Sequence, residues 1–237
     1  MNLTDKRGVY MKKYHVFKID MLSLNVYCIL LMALVLGFTC LVFPDSFNGM
    51  INLFSNDKFW FIFLPLMIFY FILHELLHAL GYIIHGADRK KITFGMELEK
   101  GVFYCLCKQD IDKKNILFSL MYPLFFIGIV TYIIGVIFNY HFLTLLSIVN
   151  IAGAIGDIMY FIFISRLDND IMFSEMDDGT SFAIRSKSNP SKVRHFGLKY
   201  VGVVDKISRS DYKLLYISKL SYLVLVLCVV CIIMWFV

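Results

Sequence analysis

Two histidines and a glutamate lie within the five residues His74-Glu75-Leu76-Leu77-His78. On a helix, residues four apart share one face about one turn apart, so the two imidazoles can bind a single zinc ion. Glu75, beside the first histidine, is placed to exchange protons with a water held by that ion. The spacing therefore predicts a catalytic zinc site, with His74 and His78 as ligands and Glu75 as the general base.

The motif lies inside a long apolar run, from Phe59 to Ile84, which has the length of a membrane-spanning helix. Ionisable side chains are costly at membrane depth, so three of them within five residues require a functional explanation. The alternative is a chance match, because five-residue patterns recur in soluble polar helices. The apolar setting favours zinc binding.

The composition of the 237-residue chain indicates an integral membrane protein. Hydrophobic residues make up 59% of it and charged residues only 17%, whereas roughly 25% are charged in soluble domains. The net charge of +5 could indicate a nucleic-acid partner. However, the basic residues cluster between the apolar runs, as membrane topology and anionic lipid require, so no nucleic acid is expected.

Five apolar runs have roughly the length that a membrane-spanning helix needs. They are residues 21–43, 59–84, 116–138, 142–165 and 214–237. The N-terminal tail and the loops at 85–115 and 166–213 contain 5, 7 and 9 basic residues, whereas the other two loops contain 1 and 0. The positive-inside rule then predicts a multi-pass protein of the cell membrane, with its N-terminus in the cytoplasm and its C-terminus outside.

The predicted fold is an all-α integral membrane protein with small β-structures outside the spans. Residues 91–108 contain two apolar-rich stretches around a Glu-Lys-Gly turn, which predicts a β-hairpin. Its edge could bind an extended peptide by strand addition, or the hairpin could only shield the site. A small cytoplasmic segment containing β-structure is expected within residues 166–213.

A catalytic zinc ion usually has three protein ligands and one open position, so the chain should supply a third ligand. Asp157 is the only acidic residue inside another apolar span. At 1.5 Å per residue, it lies about 22 Å from the outer end of its span, and His74 and His78 lie about 22–29 Å from the outer end of theirs. Asp157 is therefore predicted to be the third ligand. The alternatives are a structural partner for a buried histidine and a snorkelling residue near the cytoplasmic end of the span.

Asn150 and Gly153 precede Asp157 on the same predicted helix face. Gly153 and Ala154 are small enough to let this helix approach the span that carries the histidines. Two roles are open for Asn150: it could contact the substrate or the oxyanion, or it could form an interhelical hydrogen bond.

Three stretches resemble the DUF3267 family of zincin peptidases. They are His-Glu-Leu-Leu-His-Ala-Leu-Gly at 74–81, Asn-Ile-Ala-Gly-Ala-Ile-Gly-Asp-Ile at 150–158 and Asp-Asp-Gly-Thr-Ser-Phe at 177–182. The resemblance implies a membrane metallopeptidase similar to site-2 proteases. It also implies that His74, His78 and Asp157 bind one Zn²⁺ ion and that Glu75 is catalytic.

The expected function is an intramembrane zinc metallopeptidase that hydrolyses membrane-embedded or membrane-proximal peptides. Its expected partners are the lipid bilayer and a peptide or membrane-protein substrate. The domains are predicted as a tail and first span at 1–58, a peptidase-like membrane domain at 59–185, and a cytoplasmic segment and last span at 186–237.

Two other functions would use the same residues. A non-catalytic, zinc-containing binding or immunity-type protein has no need of Glu75, so the intact glutamate argues against it. A metal transporter would usually have repeated halves and ionisable groups on several spans, whereas here the groups cluster on two.

Overall fold

The computed structural model describes residues 13–97, 102–207 and 215–217, together with residues 222, 223, 226 and 230. Most of these residues form helices. The α-helices are α1 (Met21–Val42), α2 (Pro44–Leu53), α3 (Phe59–Ile84), α4 (Lys113–Pro123), α5 (Thr131–Ile137), α6 (His141–Gly153) and α7 (Ile155–Ser165). A π-helix at Leu124–Val130 joins α4 to α5.

Three helical stretches among the described residues are long and apolar enough to cross a membrane. They are α1, α3 and the continuous stretch from α4 through α5. The helices α6 and α7 meet the same criterion together, although they bend by 43° between Gly153 and Ile155. The helices therefore supply three candidate spans, or four if the bent pair is one span, close to the first four predicted boundaries.

The prediction of an all-α protein is wrong, because the helices carry two β-sheets. One sheet has five strands in the order β4-β5-β6-β1-β7, and the other has three in the order β3-β2-β8. The strands are β1 (Tyr14–Ile19), β2 (Ile92–Glu97), β3 (Val102–Cys107), β4 (Ile111–Asp112), β5 (Met172–Glu175), β6 (Ser181–Arg185), β7 (Leu198–Val204) and β8 (Leu215–Ile217).

The five-stranded sheet is larger than expected because it recruits the N-terminal tail. The sequence predicts a polar tail at these positions, but strand β1 pairs antiparallel with both β6 and β7. Phe17 of β1 is fully buried, and its ring lies 4.7 Å from Phe163 of α7 and 5.6 Å from Phe182 of β6. Burying one such ring contributes about 1.5–3 kcal/mol, so these contacts anchor the sheet to the helices.

Two further boundaries differ from the predictions. The predicted span at 214–237 begins with strand β8, which runs parallel to β2, and most of the remaining span lies outside the described residues. The loop predicted at 44–58 contains helix α2, which starts with Pro44 at its first position. Proline is favoured there because its missing N–H would have had no intrahelical partner.

The strands of the predicted hairpin are confirmed, since β2 and β3 pair antiparallel from Ile92 opposite Cys107 to Glu97 opposite Val102, while its predicted turn lies outside the described residues. Strand β8 covers the other side of β2. Among the described strands, β3 therefore has an edge that pairs with no strand. Phe103 of β3 lies 5.3 Å from Phe71 of α3, ring to ring, so β3 runs beside the helix that carries the histidines.

The arrangement of the polar segments agrees with the charge pattern. Strands of the five-stranded sheet come from the N-terminal tail, from the segment before α4 and from the segment after α7. These are the three basic segments that the charge count places on one side of the membrane. Because one sheet joins them, they lie together at one end of the helices.

Candidate metal centre

His74 and His78 lie one turn apart on the buried face of α3, and 8% and 6% of their surfaces are exposed. Their Nε2 atoms are 3.2 Å apart. Asp157, in the first turn of α7, places Oδ2 3.1 Å from His74 Nε2 and Oδ1 3.4 Å from His78 Nε2. The fold thus brings together the three predicted ligands, which form the one group of this kind among the described residues.

The predicted helix face that joins Asn150 to Asp157 crosses the break between α6 and α7. Both residues nevertheless reach His74, because the bend follows Asn150 and keeps both side chains on the α3 side. The expected role of Gly153 in close packing is wrong. Gly153 is exposed, and a Cβ there would meet only Phe71, at an ordinary 3.6 Å.

The close helix approach lies elsewhere, where α3 crosses α4. A Cβ at Gly81 would lie 2.9 Å from Ser119 Cα and 2.6 Å from the Tyr122 ring, which leaves no room for a side chain. This contact brings the Ser119 carbonyl oxygen to 3.0 Å from His78 Nδ1. Gly81 of α3 therefore allows α4 to approach closely enough for the Ser119 carbonyl to orient His78, a predicted metal ligand.

The hydrogen-bond partners fix the tautomer of both histidines. A carbonyl oxygen only accepts, so His78 Nδ1 donates to Ser119 O. His74 Nδ1 lies 2.8 Å from Oδ1 of Asn150, which is 1% exposed. A neutral imidazole that is protonated at Nδ1 has a free lone pair at Nε2. Both Nε2 lone pairs are therefore available where they face Asp157.

The donor atoms of this cluster suit a bound cation. Two imidazole lone pairs and a carboxylate are all acceptors, and burying them against each other is unfavourable without a cation between them. Tetrahedral zinc bonds of 2.0–2.1 Å would separate the ligand atoms by about 3.3 Å. The two Nε2 atoms, 3.2 Å apart, match this separation, and Asp157 places one oxygen 3.1 Å from His74 and its other oxygen 3.4 Å from His78, so the three residues could hold one zinc ion.

Glu75 is half-buried on the adjoining face of α3, towards the hairpin. The backbone N–H of Cys105 in β3 interacts favourably with the Glu75 carboxylate. The residue predicted as general base thus lies between the metal ligands and the unpaired edge of β3. Its role in proton transfer stays a prediction.

One acidic residue near the site escaped the sequence reasoning. Glu175, at the end of β5, accepts hydrogen bonds from the Tyr82 hydroxyl at 2.8 Å and from the backbone N–H of Cys107. Burial raises the pKa of its carboxyl group to about 7. An acidic residue at the end of the apolar-rich strand Met172–Glu175 could have been predicted as a buried polar contact from the sequence. The role of the Ser119 carbonyl could not, because every residue has a backbone carbonyl.

The structure shows apolar helices of membrane-spanning length and a cluster of two histidines and one carboxylate that could hold a metal ion, with both histidines on a His-Glu-x-x-His helix. Residues 67–172 match the model of the DUF3267 family, whose description is "Putative zincin peptidase". This match includes all three ligands and Glu75, and it confirms the family resemblance at the level of a metallopeptidase. No curated protein and no solved structure matches the chain.

Proposed function

We propose that this protein is an intramembrane zinc metallopeptidase that hydrolyses membrane-embedded or membrane-proximal peptides. The observation that carries the proposal is the convergence of His74, His78 and Asp157, each presenting an acceptor atom to a shared position. Glu75, on the same helix, supplies the carboxylate that peptide hydrolysis requires and that a purely structural zinc site does not need.

A zinc ion bound by these residues would act as a Lewis acid and lower the pKa of a bound water towards ~7. Glu75 then accepts the proton of the attacking water and returns it to the nitrogen of the leaving amine. The hydrogen bonds from Nδ1 of His74 and His78 hold both Nε2 atoms in the ligating form. Asn150 Oδ1 thus serves His74, whereas its Nδ2, a donor without a partner among the described residues, keeps the predicted contact with substrate or oxyanion open.

The substrate in this proposal is a peptide in extended form, because a helical segment hides its scissile bond within its own hydrogen bonds. The edge of β3 runs beside Glu75, and β8 already covers the other side of the hairpin. An extended peptide that lies along β3 would carry its backbone past Glu75 and the predicted metal ligands.

The membrane placement rests on the apolar helices and on the basic segments gathered in one sheet. In the proposal this sheet faces the cytoplasm of a multi-pass protein of the cell membrane, and the C-terminus lies outside. The metal centre then lies in the cytoplasmic half of the bilayer. The domain boundaries at 1–58, 59–185 and 186–237 stay predictions.

The test compares purified wild-type protein with the Glu75→Gln variant in detergent or lipid nanodiscs. We expect both to contain one zinc ion per chain by elemental mass spectrometry. Only the wild type should cleave, as measured by mass spectrometry of membrane peptides from cells that express either form. Identical peptide profiles would refute the peptidase and favour the non-catalytic alternative. Wild-type protein without zinc would refute the metal site.

A further inference from the structure

Residues 175–179, here called the clamp, begin with the last residue of β5. They contact β3, or the residue that follows β3, at three points. The first is Glu175, whose two carboxylate oxygens bind different elements. Oε1 accepts from the hydroxyl of Tyr82 on α3, and Oε2 accepts from the backbone N–H of Cys107 in β3. One half-buried side chain thus joins the five-stranded sheet, the helix that carries the histidines and the hairpin.

The second and third points reinforce the first. Asp177 Oδ1 lies 3.3 Å from Nζ of Lys108, which is 6% exposed and directly follows β3. Gly179 has a φ of +67°, and a Cβ there would lie 2.7 Å from the ring of Tyr104. A side chain at 179 would therefore meet both backbone strain and a steric clash. Close contact between the clamp and the hairpin requires glycine at this position.

The clamp acts on the same strand edge that Glu75 contacts. The backbone N–H groups of Cys105 and Cys107 are two residues apart, so they point in the same direction from β3. The Glu75 carboxylate interacts electrostatically with the first of them, and Glu175 accepts a hydrogen bond from the second. Carboxylates from α3 and from β5 thus hold neighbouring N–H groups, and the position of β3 relative to Glu75 depends on both.

We propose that Glu175 is a positioning residue, which through the clamp holds the edge of β3 beside Glu75 at the metal centre. Its importance for catalysis rests on the proposed function, whereas its effect on β3 does not. Glu175 lies outside the ligand cluster of His74, His78 and Asp157. Its loss should therefore move the hairpin without removing zinc.

The experiment measures the protection of the buried thiols of Cys105 and Cys107. Both are buried, and burial raises the pKa of the Cys105 thiol well above its usual value, so slow alkylation is expected in the wild type. N-ethylmaleimide is applied to the full chain in detergent, and the labelling rate at each cysteine is read by peptide mass spectrometry. Zinc content and peptide cleavage are measured on the same samples.

In Glu175→Ala we expect labelling at Cys107 to rise about tenfold or more, because the hydrogen bond from the Cys107 N–H to Glu175 is lost. Zinc should stay at the wild-type ratio, and cleavage should fall through kcat. Glu175→Gln, which still offers an acceptor oxygen, should restore most of the thiol protection. Gly179→Ala disturbs the clamp from its other end and should also raise the labelling rate at Cys107.

The matched control is Ser174→Ala, which removes a buried hydrogen bond to Asp110 from the same strand without touching β3. Unchanged protection of Cys107 in Glu175→Ala overturns the proposal, as does equal labelling in Ser174→Ala, which would indicate general loosening. If Glu175→Ala alone raises the labelling rate while no form of the protein cleaves peptides, the clamp is supported and the proposed function fails.

Discussion

Replacement of Asn150 by leucine tests whether the tautomer of His74 controls the metal site. Leucine has nearly the same size but no acceptor for His74 Nδ1, which lies 2.8 Å from the asparagine Oδ1. Without zinc, the imidazole can move its proton to Nε2 and donate to Asp157, 3.1 Å away. The metal-free protein should therefore tolerate the change.

The zinc-bound form cannot make this adjustment, because Nε2 must carry a free lone pair. The proton must then stay on Nδ1, without a partner in an interior where position 150 is 1% exposed. An unsatisfied buried donor costs about 1–3 kcal/mol. We therefore expect zinc binding to weaken about 10- to 100-fold, which is the usual effect of losing an outer hydrogen bond to a ligating histidine.

The assay is a competitive zinc titration against a chromophoric chelator in detergent, with thermal unfolding of the metal-free protein measured in parallel. Asn150→Asp keeps an acceptor and should bind zinc at least as well as the wild type. Ser147→Ala is the matched control. Ser147 lies on the same helix as Asn150, but it forms a hydrogen bond with Thr131 of α5 and none with His74. Wild-type affinity in Asn150→Leu, or an equal loss in Ser147→Ala, would refute the tautomer argument.

Three further predictions concern the same region. Asp157→Ala removes one of three ligands and should abolish stoichiometric zinc by elemental analysis; full zinc content would exclude this residue from the site. The free energy of unfolding of Glu175→Gln should rise relative to that of the wild type by about 3 kcal/mol between pH 4.5 and 7. The reason is that Glu175 stays protonated in the folded wild type across this range but ionises in the unfolded chain, so the wild type loses stability as pH rises. A pH-independent difference in thermal unfolding would contradict this. Gly81→Val should lower the free energy of unfolding by about 1–3 kcal/mol and weaken zinc binding, because α4 must move away with its Ser119 carbonyl. An unchanged unfolding free energy and an unchanged zinc affinity would show that the two helices do not pack tightly at this point.

Much of the helical architecture could be predicted, because a bilayer requires long apolar runs with polar ends. Helix α3 begins and ends at the predicted residues, 59 and 84. The β-structure was underestimated for a different reason. Strand β1 is only six residues long, and its partners β6 and β7 lie more than 160 positions away along the chain. No local pattern in the sequence reports such a pairing.

The sequence by itself predicted the three candidate ligands His74, His78 and Asp157, from helical spacing and the cost of burying charge, and the fold brings them together. Tertiary structure decided how these residues are held. The Ser119 carbonyl and the Asn150 amide fix the histidine tautomers, and Glu175 binds the strand beside Glu75. These contacts depend on helix crossings and strand pairings between distant segments, where backbone atoms act as partners, so residue types alone could not reveal them.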